Sequence, residues 1–192
     1  MPLPPGDYAR PLCGHCLTHP WRLARTVAAF AYAEPMSTLI AGFKYRAALQ
    51  QGRVLGDLLI DRLRVAYHGQ ALPQLLVPVP LHPARLRERG FNQALVLARQ
   101  LGRALHIPTA TNLVARTQAT PAQQGLNAKQ RRRNLRGAFS MQPDDASLSA
   151  YASVALIDDV VTTMSTVNEL VRMLHAHSKR EIEIHVWCLA RA

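Results

Sequence analysis

The stretch Val154-Ala155-Leu156-Ile157-Asp158-Asp159-Val160-Val161-Thr162-Thr163-Met164-Ser165-Thr166 constrains this chain more than any other. A short apolar run meets two adjacent acids and then a hydroxyl-rich turn. Beyond the turn, Val167, Leu170, Val171 and Leu174 repeat at helical spacing. A strand, a turn and a helix in that order form the repeating unit of α/β proteins, whose ligands sit at the carboxyl ends of strands. Backbone N–H groups at a helix N-terminus favour phosphate, and the hydroxyls of Thr162, Thr163, Ser165 and Thr166 add donors. Asp158 and Asp159 can accept hydrogen bonds from the cis-diol of a ribose and hold Mg²⁺ directly or through water. One turn then grips both ends of a ribose phosphate.

The rest of the chain alternates in the same manner. Residues 27–32 read as a strand, and residues 36–46 as a helix with Leu39, Ile40 and Phe43 on one face. A second helix spans 53–67, marked by Leu55, Leu58, Leu59 and Leu63. Residues 75–80 form an apolar run whose prolines restrict it to a sheet edge or a strand end. A basic loop, 81–91, follows it, and Asn92 caps a helix with Ala94, Leu97, Ala98, Leu101 and Leu105 on one face. Residues 116–136 have little apolar periodicity and read as a mobile loop or a loosely packed helix. Ile182, Ile184, Val186 and Cys188 alternate with Glu183, His185 and Trp187, which marks a closing strand. The expected fold is α/β, with a mostly parallel central sheet flanked by helices. Residues 26–192 make up one domain, and the proline-rich residues 1–25 a small appendage.

Charge narrows the partners. The chain carries 23 Lys and Arg against 12 Asp and Glu. No acid occurs between Glu88 and Asp144, a span that holds Arg89, Arg99, Arg103, Arg116, Lys129, Arg131, Arg132, Arg133 and Arg136. Such a region suits a polyanion, whether pyrophosphate, a nucleotide or a nucleic-acid backbone, or else it is a solvated face. The start reads as no secretory signal and no apolar run is long enough for membrane insertion, so the expected compartment is cytoplasmic. Three cysteines, Cys13, Cys16 and Cys188, make no disulfide framework. Cys188 reads as a small core residue, and Cys13-x-x-Cys16 as half of a tetrahedral zinc site. Among the aromatic residues, Trp21, Phe30 and Phe91 are candidates for stacking on bases, with core packing the better reading for Phe30.

The stretch 154–166 resembles the phosphoribosyl-pyrophosphate signature of type I phosphoribosyltransferases. A second motif, Pro78-Val79-Pro80-Leu81-His82-Pro83-Ala84-Arg85-Leu86-Arg87-Glu88-Arg89-Gly90-Phe91-Asn92-Gln93, is similar to that of the ComF family, phosphoribosyltransferase-like proteins linked to DNA uptake and use. Phe43-Lys44-Tyr45, Arg116-Thr117, Gln123, Leu126, residues 131–134 and Gly137-Ala138-Phe139 extend the likeness over nearly the whole chain. The resemblance implies a type I phosphoribosyltransferase-like fold that binds phosphoribosyl pyrophosphate with Mg²⁺. Asp158 and Asp159 would hold ribose and metal, Thr162, Thr163, Met164, Ser165 and Thr166 the 5′-phosphate, and Arg85, Arg87, Arg89 and Gly90 the pyrophosphate. Arg116, Gln123, Arg131, Arg132, Arg133 and Asn134 would belong to a flexible loop that closes over the substrate. His82 reads as a turn residue or a phosphate contact. The family has an N-terminal zinc ribbon, of which Cys13 and Cys16 would be a shortened remnant. A Zn²⁺ site within this polypeptide would need His15 or His19, and a truncated start or inert thiols are the alternatives.

Met164 departs from the signature, which has glycine there. A left-handed backbone costs an L-residue about 1–2 kcal/mol. Either the turn takes a different course with Met164 pointing away, or phosphate binding and transfer are weakened. Two functions therefore stand open: a phosphoribosyltransferase of unknown acceptor, and a catalytically degenerate accessory protein that binds single-stranded DNA together with the DNA-uptake machinery.

Overall fold

The computed structural model describes residues 23–45, 48–118, 137–142 and 148–192. Four strands form one parallel sheet: β1 (Arg25–Ala31), β2 (Leu75–Pro78), β5 (Ser153–Val161) and β6 (Glu183–Arg191), in the order β1-β6-β5-β2. The expected α/β class and mostly parallel sheet are present. β2 lies at an edge, as its prolines require, and it ends on Pro78.

Helices cover both faces of the sheet. Against one face pack α1 (Met36–Tyr45), α2 (Leu49–Ala66) and α4 (Gln93–Leu105), burying Ile40, Phe43, Leu59, Leu63, Leu97 and Leu101. Against the other packs α5 (Ser165–His177), through Val167, Leu170, Val171 and Leu174. Beside α5 sits an antiparallel ribbon, β3 (Val114–Arg116) with β4 (Phe139–Met141), that sequence periodicity does not reveal. Each of its strands has three residues, too few to show alternation. Arg116 is therefore a strand residue rather than the start of a loop.

The closing strand β6 is buried throughout residues 184–190, although its sequence alternates as a half-exposed strand would. His185 and Trp187 face α2, where Tyr67 meets both: Trp187 Nε1 donates to Tyr67 Oη at 3.0 Å, and Tyr67 Oη lies 2.8 Å from His185 Nδ1. The polar groups of this central strand are thus satisfied inside the core. Phe30 is buried in the core, as is Cys188, whose thiol burial pushes up to about 12.

Chain direction positions the site. The chain leaving β2 passes to α4 on one face, and the chain leaving the neighbouring β5 passes to α5 on the other. Where adjacent parallel strands send their connections to opposite faces, a crevice opens at their carboxyl ends. Among the described residues no helix is long and apolar enough to cross a membrane.

Candidate functional site

Two cavities lie at this carboxyl edge, one of about 210 Å³ between residues 79–81 and the end of β5, and an adjoining one of about 630 Å³ beside the turn that follows β5. Residues 162–166, the whole hydroxyl-rich turn, line the larger. Met164 has φ 58° and ψ 4°, the left-handed conformation that glycine adopts freely. The turn therefore keeps a glycine-like course in spite of the substitution. The Met164 side chain is buried at 8% exposure within the core cluster that includes Val167 and Leu170. Full burial of a methionine is worth about 1.5–3 kcal/mol, enough to offset the backbone cost. Among the described residues no side-chain cap bond forms at the start of α5, and the Met164 carbonyl accepts from the Asn168 amide to begin the helix. The first-turn amides are thus orphan donors of the kind a phosphate satisfies. Thr163 and Ser165 hydroxyls lie 2.9 Å apart across the turn.

Strand β5 continues through both acids to Val161, four residues beyond the apolar run. Alternation along a strand then separates them. Asp158 falls in step with Val154 and Leu156, and Asp159 with Ala155 and Ile157, which belong to opposite core clusters. Asp158 lines both cavities, whereas Asp159 is buried and borders only the smaller. Asp159 Oδ1 accepts from the Val160 amide at 2.7 Å. Its Oδ2 pairs with Lys44 Nζ at 2.9 Å, an ion pair off the line of a hydrogen bond. Burial pushes the Lys44 ammonium down, but Asp159 outweighs it and holds the pKa above the usual lysine value. Asp158 Oδ1 accepts from the Asp159 amide at 2.9 Å. Burial, with the Asp159 carboxyl beside it, pushes the Asp158 carboxyl up to about 8 against the pull of Lys44.

The opposite wall is basic. Residues 83–89, read from sequence as part of a loop, form a short helix, α3 (Pro83–Arg89), capped by His82, whose Nδ1 accepts from the Ala84 amide. His82 is thus a capping residue. Helical spacing puts Arg85 and Arg89 on the cavity side, where both line both cavities. Arg87 is exposed and lines neither, and Gly90 is an exposed C-cap at φ 78°. Of the pyrophosphate set, the structure brings together two arginines. Arg116 joins them: burial and the nearby Arg85 hold its guanidinium below the usual range, while Asp158 pulls it up.

The Arg-Gly-Phe-Asn-Gln run acts mainly as scaffolding. Phe91 packs against Phe43 with ring centroids 5.6 Å apart. Asn92 caps α4 through the Ala94 amide and donates to the Val79 carbonyl. Gln93, 2% exposed, donates to the Lys44 carbonyl at 3.2 Å, and its Oε1 accepts from Arg89 at 3.4 Å. Arg89 in turn lies over the Tyr45 ring, 5.2 Å from the centroid. Lys44 and Tyr45 line both cavities, yet sequence reasoning assigned them no role at the site. The signal available was the Phe-Lys-Tyr element at the end of a helix.

Cys13, Cys16, His15, His19 and Trp21 lie outside the described residues, as do Gln123, Arg131, Arg132, Arg133 and Asn134 of the predicted loop. The base of that loop is described. Thr117 donates its amide to the Ala138 carbonyl, and the Gly137 amide donates to Glu169 Oε1 at 2.7 Å, fastening the ribbon to α5. Among the described residues no group of three or more His, Cys, Asp or Glu side chains is placed to hold a metal ion.

No family model matches the chain. Solved structures similar to it include the purine phosphoribosyltransferase of Pyrococcus horikoshii Ot3, with a TM-score of 0.40 at 15% identity over 73% of this chain and 83% of that one. Another is the hypoxanthine phosphoribosyl transferase of Trypanosoma cruzi, with a TM-score of 0.42 at 17% identity over 73% of each chain. Likeness at these TM-scores decides nothing about chemistry. Curated relatives are far nearer in sequence. Competence protein F of Haemophilus influenzae is 42% identical over 94% of this chain and 78% of that protein. The DNA utilization protein YhgH of Escherichia coli K12 is 35% identical over 97% of this chain and 81% of its own length. The YhgH protein of Salmonella typhi is 34% identical over 98% and 81%. The parallel sheet flanked by helices, with a crevice at its carboxyl edge, is the α/β architecture that the sequence implied. With relatives this similar over almost its whole length, the chain belongs to the ComF family.

Proposed function

We propose that this protein binds phosphoribosyl pyrophosphate with Mg²⁺ and that it serves DNA uptake or use, in keeping with relatives named for competence and for DNA utilization. One observation carries the ligand reading. The uncapped N-terminus of α5, opened by Met164 in a left-handed conformation, lines the same cavity as Asp158, Arg85 and Arg89. Orphan amides favour the 5′-phosphate, the carboxyl a ribose hydroxyl, and the guanidinium groups a pyrophosphate.

The donor set suits Mg²⁺ of one kind. Among the described residues the site offers one or two carboxylates and no cage of protein ligands, and Mg²⁺ commonly keeps its waters and binds through one or two carboxylates plus substrate phosphates. Such an ion, when bound, would stabilise charge on the pyrophosphate oxygens. Arg85, Arg89 and Arg116 would neutralise the same group from the wall of the cavity.

Calorimetry with phosphoribosyl pyrophosphate tests this. The parent is expected to bind only with Mg²⁺ present, and Asp158→Asn to lose at least about tenfold in affinity, the loss of a hydrogen bond to a charged group. Equal binding by Asp158→Asn/Asp159→Asn overturns the ribose assignment. Binding by Met164→Gly but not by the parent identifies a degenerate site. The acid-free basic span favours a second reading, as an accessory protein binding single-stranded DNA. Under it, affinity for an oligonucleotide falls steeply with salt, and replacing Arg131, Arg132 and Arg133 flattens that slope.

A further inference from the structure

Two adjacent acids at a strand end look interchangeable in sequence, and the structure makes them unequal. Both oxygens of Asp159 are engaged, one by the Val160 amide and the other by Lys44. Asp159 is nearly sealed, with 9% of its side chain exposed, and the Lys44 side chain retains 23%. Lys44 is itself held in place. It ends α1 one residue before Tyr45, and its carbonyl accepts from Gln93, a buried residue whose other end accepts from Arg89. Phe43 before it is fully buried. With its backbone fixed, only the Lys44 side chain has to be ordered to keep its ammonium on Asp159. The charges facing the acid pair are Lys44 from α1 and Arg116 from β3, with Arg85 and Arg89 on the wall beyond.

We infer that Lys44 is a positioning residue that removes Asp159 from the ligand-binding set, so that Asp158 alone of the acid pair engages a cation or a ribose hydroxyl. Lys44 acts as a permanent internal counter-ion. A divalent cation approaching Asp159 would have to displace an ammonium already in contact and meet its repulsion. At Asp158 it meets a carboxyl that opens on both cavities. The inference rests on the reading of Asp158 as the ligand-binding acid, and it adds that the neighbouring acid and Lys44 form a self-neutralising unit.

The probe is Mn²⁺ alone, without any phosphoribosyl compound, followed by electron paramagnetic resonance on the full chain. Asp158→Asn is expected to lose Mn²⁺ binding. Lys44→Met, which frees Asp159, is expected to bind Mn²⁺ about tenfold tighter than the parent, since a lone carboxylate gains a cation it was denied. The charge-neutral pair Lys44→Met/Asp159→Asn is expected to return to within about twofold of the parent, as deleting both members leaves net charge unchanged. A purely structural lysine would not produce a gain that a second substitution cancels. Should the single variant not fold, the charge-neutral pair still decides: a loss as deep as that of Asp158→Asn makes Asp159 a ligand and overturns the inference. Unchanged or weaker Mn²⁺ binding in a folded Lys44→Met also overturns it while leaving Asp158 in its role. Undiminished binding in Asp158→Asn removes Asp158 itself, and the reading beneath falls with the inference.

Discussion

Replacing Met164 separates the two terms that the structure sets against each other at the turn that opens α5. The residue sits at φ 58° with its side chain 8% exposed in the core. Methionine truncation in a core costs about 2–5 kcal/mol, and a residue bordering a cavity should fall near the lower end. Met164→Ala loses that packing and keeps the left-handed strain of about 1–2 kcal/mol. Met164→Gly loses the same packing but relieves the strain, against about 0.4–1 kcal/mol of extra freedom in the unfolded chain. Both variants are therefore expected to be less stable than the parent by about 1–3 kcal/mol, with the glycine variant the more stable of the two by about 0.5–1 kcal/mol. At this chain length 1 kcal/mol corresponds to about 2–4 °C in Tm, so thermal and urea unfolding resolve the order. An alanine variant at least as stable as the glycine variant would refute a left-handed Met164. A glycine variant more stable than the parent would show that burial of the side chain contributes less than relief of the backbone strain.

Other consequences follow from the same geometry. In the absence of a bound cation, Asp158, raised to about 8, keeps a proton that the unfolded chain releases near pH 4, so its contribution to stability declines between those values by about 1.4 kcal/mol per pH unit. Asp158→Asn is expected to remove this decline, so its Tm advantage over the parent should grow from pH 5 to pH 8; a constant difference would refute the raised carboxyl. Arg85→Ala and Arg89→Ala should each weaken phosphoribosyl-pyrophosphate binding about 10- to 100-fold, the value of hydrogen bonds to charged groups, while Arg87→Ala stays within about twofold by calorimetry. Tyr67→Phe strips the buried Trp187 Nε1 of its acceptor and His185 Nδ1 of its neighbour, and should lower unfolding free energy by about 2–4 kcal/mol in urea. A loss below about 0.5 kcal/mol would mean that the network is not satisfied as described.

Much of the fold was legible because it is written in local periods and caps. The apolar faces of α2 and α5 repeat at helical spacing, Asn92 begins α4 where a capping residue should, and the prolines of β2 put it at an edge. The misread segments fail for physical reasons of the same kind. Residues 83–89 are polar on most sides and bury no residue, so no apolar stripe announces α3. The ribbon strands β3 and β4 are three residues each and meet across 22 intervening positions of sequence, a pairing that no local pattern carries.

At the site, sequence alone determined the chemistry on offer: an acid pair at a strand end, a hydroxyl-rich turn opening a helix, and a supply of arginines nearby. These are short-range arrangements, set by residues adjacent in the chain. Tertiary structure decided which groups share the cavity. It turned Asp159 toward Lys44, 115 positions away in sequence, and left Asp158 facing the crevice. It wound the basic segment into a helix that presents Arg85 and Arg89 and discards Arg87, and it sank the Met164 side chain into the core while keeping the turn. The reason is that strand alternation, helix phase and the packing of α1 against the sheet fix side-chain direction only when the elements are assembled.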